Sequence, residues 1–122
     1  MIDTIELLKL AAKAAGFDVV RVAADGESLM LYGVQEPWNP AIGDADSRML
    51  QVACKIALHF EVIGGEWCAE AYSQEDKNGD CFCVAERFGD DPNKAARMAV
   101  LRCAGILGRR WNDTQNNANQ NH

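Results

Sequence analysis

The sequence lacks any long hydrophobic run, and none of its apolar stretches approaches the 18 or so residues that a membrane span needs. Residues 1–6 carry an early acidic residue and no basic segment, so we expect no signal peptide. Basic residues are also scarce, with 12 lysines and arginines against 18 aspartates and glutamates. The resulting net charge of −6 does not suit a protein that coats nucleic acid. We therefore expect a cytoplasmic protein that binds neither membrane nor nucleic acid.

The residue patterns of known catalytic sites are missing as well. The sequence has two histidines, His59 and His122, and no G-x-S-x-G motif that would present a serine nucleophile. The pair Gly64-Gly65 lacks the spacing of the glycine-rich loops that hold phosphate. We therefore predict that the protein is not an enzyme, has no catalytic residue and uses no cofactor.

Five cysteines are an odd number, which indicates reduced thiols in the absence of an export signal. Cys81 and Cys83 are two residues apart on a predicted strand, so both point to one face, and Cys68 could oppose them across a hairpin with His59 nearby. Structural zinc sites usually present paired C-x-x-C motifs, which this sequence lacks. We therefore predict no metal and three core thiols, with metal binding as the alternative.

Hydrophobic periodicity predicts three helices and five short strands. The expected helices cover residues 3–15, 45–58 and 92–107, and the expected strands cover residues 18–23, 28–33, 59–63, 67–72 and 81–88. Asp3 and Asp91 are expected to cap helices, and Gly16 and Gly108 are expected to end them. Hairpin connections indicate an antiparallel sheet, and strands that are apolar on consecutive residues indicate helices on both faces.

These elements predict an α+β fold in the order α-β-β-α-β-β-β-α. We expect a three-layer α/β/α sandwich in which three helices cover one mainly antiparallel sheet of four or five strands. Residues 1–110 are expected to form a single domain. Residues 111–122 are rich in asparagine and glutamine, which predicts a disordered tail.

Charge is unevenly distributed along the chain. Residues 92–122 hold five basic groups and one acidic group, whereas residues 1–91 carry a net charge of −10. One side of the last predicted helix presents Lys94, Arg97, Met98, Leu101, Arg102 and Arg109. Arginine, methionine and apolar anchors together are typical of contact surfaces. This side either contacts a second copy, a host protein or an anionic ligand, or packs under loops while its arginines pair with the acidic segment.

Two stretches carry a family resemblance. Residues 38–50, WNPAIGDADSRML, resemble the W-N-P … D-x-x-x-x-R-L signature of the phage ABA sandwich domain family, and residues 91–104, DPNKAARMAVLRCA, resemble its closing helix D-P-x-x-A-x-R-x-A-x-x-R-A-A. Gly43 and Ala45 depart from the family's more acidic loop, and Cys103 stands where a small residue such as alanine is usual. The resemblance covers about residues 1–110. It implies helix–sheet–helix layering and a phage or prophage protein made in a bacterial cytoplasm, and it brings no established activity.

The resemblance also singles out arginines, because Arg48, Arg97 and Arg102 match family positions. They could ring an anion-binding groove beside Trp38, or they could bind Asp44, Asp46 and Asp90 internally. The candidate binding residues are Trp38, Arg48, Lys94, Arg97, Met98, Leu101 and Arg102.

The function predicted from the sequence is that of a small, non-enzymatic phage accessory protein that binds a host protein and inhibits a bacterial defence or regulatory system. The alternative is a binder, or sponge, of a small anionic metabolite or nucleotide signal. A homodimer is a further expectation.

Overall fold

A computed structural model describes the backbone of residues 3–120 and the side chains of residues 3–110. Its elements are α1 (Thr4–Ala15), β1 (Val19–Val22), β2 (Leu29–Leu31), α2 (Asp44–Cys54), β3 (Ala57–Ile63), β4 (Glu66–Tyr72), β5 (Cys83–Arg87) and α3 (Pro92–Gln120). Three helices and five antiparallel strands make an α+β fold, and they follow the predicted order. Over the described residues, no helix is both long enough and apolar enough to cross a membrane.

Local signals set the ends of α1. The Asp3 carboxylate accepts a hydrogen bond of 2.8 Å from the backbone N–H of Glu6, which satisfies one of the donors left open in the first turn. At the other end, Gly16 adopts the left-handed conformation with φ of 77°, and its N–H returns to carbonyl groups of the last turn. Both ends agree with the prediction.

The second helix is shorter than predicted. It ends at Cys54, and Lys55 takes the left-handed conformation with φ of 55°. The chain leaves the helix there because the N–H of Ile56 bonds back to Gln51, and β3 begins at Ala57. A lysine in this conformation is uncommon, and the sequence offered no glycine or asparagine to mark the stop.

The strands form two sheets where one was expected. β1 pairs with β2, and β3, β4 and β5 form a separate antiparallel sheet in that order. The free edge of β2 is taken by the W-N-P turn, since Leu29 and Trp38 exchange two backbone hydrogen bonds of 2.8 and 3.0 Å. The first hairpin therefore closes on its own loop instead of extending to β3.

The third helix is the central element of the core. It packs against α1, against α2 and against the inner face of the three-stranded sheet. Leu58, Ala71 and Val84 stand in one row across that sheet and belong to this core. The opposite face of the sheet carries exposed side chains, among them His59 and Tyr72. Most of the burial is therefore arranged around α3.

The predicted end of this helix at Gly108 is wrong, because α3 continues to Gln120. Gly108 lies where α3 crosses α1: a Cβ atom there would lie 2.7 Å from the carbonyl carbon of Leu10. The glycine therefore permits close contact between two helix backbones. The division into a domain of residues 1–110 and a disordered tail of residues 111–122 stays a prediction, and residues 121 and 122 lie outside the described residues.

Candidate functional site

The W-N-P turn is built into the core. The Trp38 side chain is 1% exposed and meets Phe17 edge to face at 5.7 Å between ring centroids. The Asn39 side chain holds the turn, since its Nδ2 donates to the carbonyl of Glu27 at 3.0 Å and its Oδ1 accepts from the N–H of Ala41 at 3.0 Å. Trp38, a predicted binding residue, therefore stabilises the fold and is not presented to a ligand.

The predicted arginines do not share one site. Arg97 bonds to Asp44 at 2.7 Å between Nη1 and Oδ1, and its Nε donates to the carbonyl of Ala41 at 3.0 Å. The internal alternative therefore describes Arg97. Arg102 forms an ion pair with Glu86 of β5 instead of one of the three acids expected from the sequence.

One groove contains part of the predicted contact side of α3. We name it the α1–α3 groove; it has a volume of about 320 Å³ and is lined by Leu7, Leu10, Met98, Arg102, Gly105, Ile106 and Arg109. The larger apolar side chains are partly buried and form its floor, whereas both arginines are exposed at its rim. Leu101, which was expected beside Met98, is fully buried in the core.

A smaller groove lies on the other side of α3. We name it the α2–β3 groove; it measures about 150 Å³ and brings Arg48 and Arg97 together with Asn93 and Asp44. Arg48 is exposed and forms no ion pair with the side chains of residues 3–110. The Asp44 carboxylate offsets part of the positive charge of this groove, since it pairs with Arg97.

Lys94, the remaining predicted binding residue, lines neither groove. Its side chain is exposed, and its Nζ lies 4.8 Å from the centroid of the Phe88 ring. This distance is within the range of a cation–π contact. The Lys94 side chain therefore packs on the residue that follows β5, while its backbone N–H donates a hydrogen bond of 3.0 Å to the Asp91 carboxylate at the start of α3.

A different set of side chains could hold a metal ion. On the outer face of the three-stranded sheet, ligand atoms of His59, Glu61 and Glu70 lie within 4.8 Å of one another. The Tyr72 hydroxyl donates a hydrogen bond to Glu70, which raises the pKa of Tyr72. The sequence did not indicate this cluster because His59 meets Glu70 only through the register of β3 against β4.

The cysteines considered as metal ligands are dispersed. Cys68 is buried in β4 opposite Arg87, whereas Cys83 lies at the start of β5 opposite Tyr72. Cys81 and Cys83 are exposed, so the expectation that both lie in the core is wrong for these two thiols. They escape burial because Cys81 precedes β5 and Cys83 points to the outer face of the sheet.

Two other cysteines are chemically quiet. Burial raises the pKa of the Cys54 thiol to about 11. Burial also raises the pKa of the Cys103 thiol to about 12, with a further contribution from neighbouring Cys54. Since the thiolate is the nucleophile, both groups are protonated and unreactive at neutral pH.

The chain matches no protein-family model, and no curated protein is significantly similar to it. The structure is that of a small α+β protein with two basic, partly apolar grooves along its central helix. The side chains that line these two grooves are therefore the basis for inferring a function.

Proposed function

We propose that this chain is a non-enzymatic phage or prophage accessory protein that binds a host protein in the bacterial cytoplasm through the α1–α3 groove. The observation that carries the proposal is the composition of that groove, with an apolar floor and arginines at the rim. The proposed origin is supported by the resemblance of residues 38–50 and 91–104 to the phage ABA sandwich domain family.

The chemistry of the groove specifies the partner. A floor of leucine, isoleucine and methionine accepts one or two apolar side chains, and guanidinium groups bind carboxylates with good geometry. We infer that the partner offers an acidic segment with apolar anchors. Residues 1–91 carry a net charge of −10 and would repel such a segment, which favours the groove over the rest of the surface.

The two arginines at the rim have different roles. Arg102 already pairs with Glu86, and its side chain is half exposed, so a partner carboxylate would compete with an existing ion pair. Arg109 is exposed and has no ion pair within residues 3–110. Arg109 is therefore the better anchor, because a new charge-assisted bond replaces no internal one.

Occupying a surface of the partner is sufficient for inhibition, and no bond needs to be made or broken. A bound regulatory or defence protein would be blocked by exclusion of its own ligand or subunit.

The test compares two charge reversals with the same change in net charge. Arg109→Glu alters the groove, whereas Arg87→Glu alters an exposed arginine on β5 outside it. Immobilised wild type and Arg87→Glu should capture the same protein from host lysate, and Arg109→Glu should lose it. The captured protein, once purified, should crosslink to α1 and α3 through an acidic segment. Equal capture by both variants would contradict the proposal.

A second candidate function is binding of a small anionic metabolite or nucleotide signal. It is favoured by one observation, namely that Arg48 and Arg97 line the same α2–β3 groove. A ligand that binds only the folded chain stabilises it by RT ln(1 + [L]/Kd), so the melting temperature rises with the logarithm of ligand concentration once that concentration exceeds Kd. A nucleotide panel should therefore stabilise the wild type and fail to stabilise Arg48→Ala, with Arg87→Ala as the control. No stabilisation by any nucleotide would remove this candidate.

A further inference from the structure

The three-stranded sheet has an open edge along β3. This strand is the longest edge strand of the molecule, with seven residues, and its described backbone pairs only with β4. An unpaired edge presents a row of N–H and C=O groups that can bond to another strand.

Hydrogen bonds elsewhere in the sheet identify the outward groups. The N–H groups of Trp67 and Ser73 donate towards β5, to Gly89 at 3.1 Å and Phe82 at 3.0 Å. The direction of the backbone N–H and C=O groups alternates from one residue of a strand to the next. The backbone groups of the even-numbered residues of β4 are therefore directed towards β3. Their partners in β3 are odd-numbered. The outward backbone groups of β3 are therefore those of Leu58, Phe60 and Val62.

The side chains along this edge leave apolar surface open. Phe60 is 42% exposed and Val62 is 55% exposed, and Phe60 meets Trp67 edge to face at 6.3 Å between ring centroids. These residues belong to the inner face of the sheet, where further from the edge Ala69 and Ala71 are buried against α3. The apolar layer thus continues to the edge and stops there.

We propose that two copies of this chain pair through β3, antiparallel and about a two-fold axis at Phe60, so that their sheets join into one. Leu58 then stands opposite Val62 of the second copy, and Phe60 stands opposite itself. Leu58, Phe60 and Val62 are the three outward residues, so all of their backbone donors and acceptors find partners. The apolar edge of one copy covers that of the other.

Charge complementarity fixes this register. With the axis at Phe60, His59 of each copy lies opposite Glu61 of the other on the outer face of the sheet. An axis at residue 59 would set two histidines against each other, and an axis at residue 61 would set two glutamates against each other. Opposite-charge or hydrogen-bonding pairs across strands stabilise, and like charges destabilise.

The other edges are less suitable. β1 has only four residues, and its register against β2 is irregular between Val19 and Arg21. Such an irregularity twists an edge and interrupts the row of donors and acceptors. β5 pairing with itself about its middle residue would set Val84 of the inner face against Glu86 of the second copy. Neither edge offers apolar contact and charge complementarity together.

The first test is sedimentation equilibrium of the full chain from about 10 µM to 1 mM, a range that detects weak pairing. Wild type should form dimers. Val62→Glu should be monomeric over the whole concentration range, because its new carboxylate would lie opposite the apolar side chain of Leu58 in the second copy. Val20→Glu is the matched control, since Val20 is 59% exposed on β1, and it should dimerise like wild type. A monomeric wild type, or loss of dimer in Val20→Glu alone, would overturn the proposal.

A charge swap tests the register itself. His59→Glu sets glutamates opposite one another at two places and should weaken the dimer by about 2- to 30-fold, as two like-charge pairs imply. The double variant His59→Glu/Glu61→Lys restores an opposite-charge pair at both places and should recover the affinity. A double variant that binds no better than His59→Glu would refute this register.

Amide hydrogen exchange on the wild type needs no substitution. The N–H groups of Leu58, Phe60 and Val62 should exchange quickly in dilute solution and become protected as concentration rises, whereas those of His59 and Glu61 should be protected throughout. The dimer does not depend on the proposed host-protein site, so Arg109→Glu should leave it intact. Fast exchange at Leu58, Phe60 and Val62 at every concentration would contradict the pairing.

Discussion

Replacing Gly108 by alanine tests the contact between α1 and α3 directly. Helix propensity alone predicts that Gly108→Ala stabilises the protein by about 1 kcal/mol, because glycine is the less favourable residue inside a helix. The structure predicts the opposite result. A Cβ atom at this position would lie 2.7 Å from the carbonyl carbon of Leu10 and 3.1 Å from its Cα, which is backbone of another helix.

The size of the destabilisation in Gly108→Ala depends on which atoms must move to relieve the clash. The clash is with helix backbone, so α1 as a whole must shift, and overpacking of this kind costs about 1–3 kcal/mol. We take the upper part of that range and subtract the propensity gain, which leaves a net loss of about 1–2 kcal/mol. The corresponding decrease in Tm is about 4–8 °C for a chain of this size.

Gly105→Ala is the matched control in the same helix. Its new Cβ would overlap Cδ1 of Leu7, the far end of a flexible side chain that can turn away. We therefore expect its stability to lie within about 0.5 kcal/mol of wild type, since the propensity gain offsets the adjustment. Leu7→Ala should make Gly105→Ala more favourable, whereas Leu10→Ala should not relieve Gly108→Ala, whose clash is with backbone.

Urea unfolding followed by circular dichroism measures all of these differences, provided that the slope of each transition is unchanged. If Gly108→Ala were as stable as Gly105→Ala, or more stable than wild type, the close crossing of α1 and α3 would be refuted. A result of that kind would favour the interpretation of Gly108 as the end of the helix.

Three further results are expected. Arg97→Ala should lower Tm by about 4–8 °C, because it removes a charge-assisted bond to the Ala41 carbonyl and an ion pair in which Asp44 is exposed but the Arg97 side chain is largely buried. Capture by the α1–α3 groove should be unchanged. An unchanged Tm would contradict this prediction. The pKa of Asp25 is lowered, chiefly by the hydrogen bond from the Glu27 N–H. The advantage of wild type over Asp25→Asn in thermal melts should therefore be full above the ordinary pKa of 3.8, decline below it, and be lost as pH falls through the lowered pKa of the folded state. A disulfide reagent at mildly alkaline pH should modify the two exposed cysteines of the native chain quickly, and Cys54 and Cys103 only after unfolding.

Features set by neighbouring residues could be predicted from the sequence. Asp3 and Asp91 accept hydrogen bonds from N–H groups three residues ahead, and Gly16 closes α1 with a positive φ, each within one turn of chain. The order of helices and strands follows from periodicity, which is also local. The division into two sheets could not be predicted, because it depends on Trp38 taking the edge of β2.

Glycine shows the limit most clearly. Gly16 and Gly108 both follow an apolar helical segment, and this pattern predicts a helix end at each. Gly16 adopts the left-handed conformation, whereas Gly108 stays helical and lies against Leu10. Both glycines are preceded by two apolar helical residues. What separates them is a second helix that is about a hundred positions away along the chain, so no local pattern could have distinguished a stop from a contact.

The predicted binding residues separate because α3 has more than one buried side. A helical wheel assumes one buried side, but α3 is contacted by α1, by α2 and by the sheet, so its buried arc is wide and includes Leu101. The exposed residues of such a helix lie along the grooves between this helix and the elements that pack against it. Met98 and Arg102 therefore fall into the α1–α3 groove, and Arg97 falls into the α2–β3 groove. A basic helix at the centre of an acidic protein thus presents two separate grooves, and substitutions in one groove should leave ligand binding in the other unchanged.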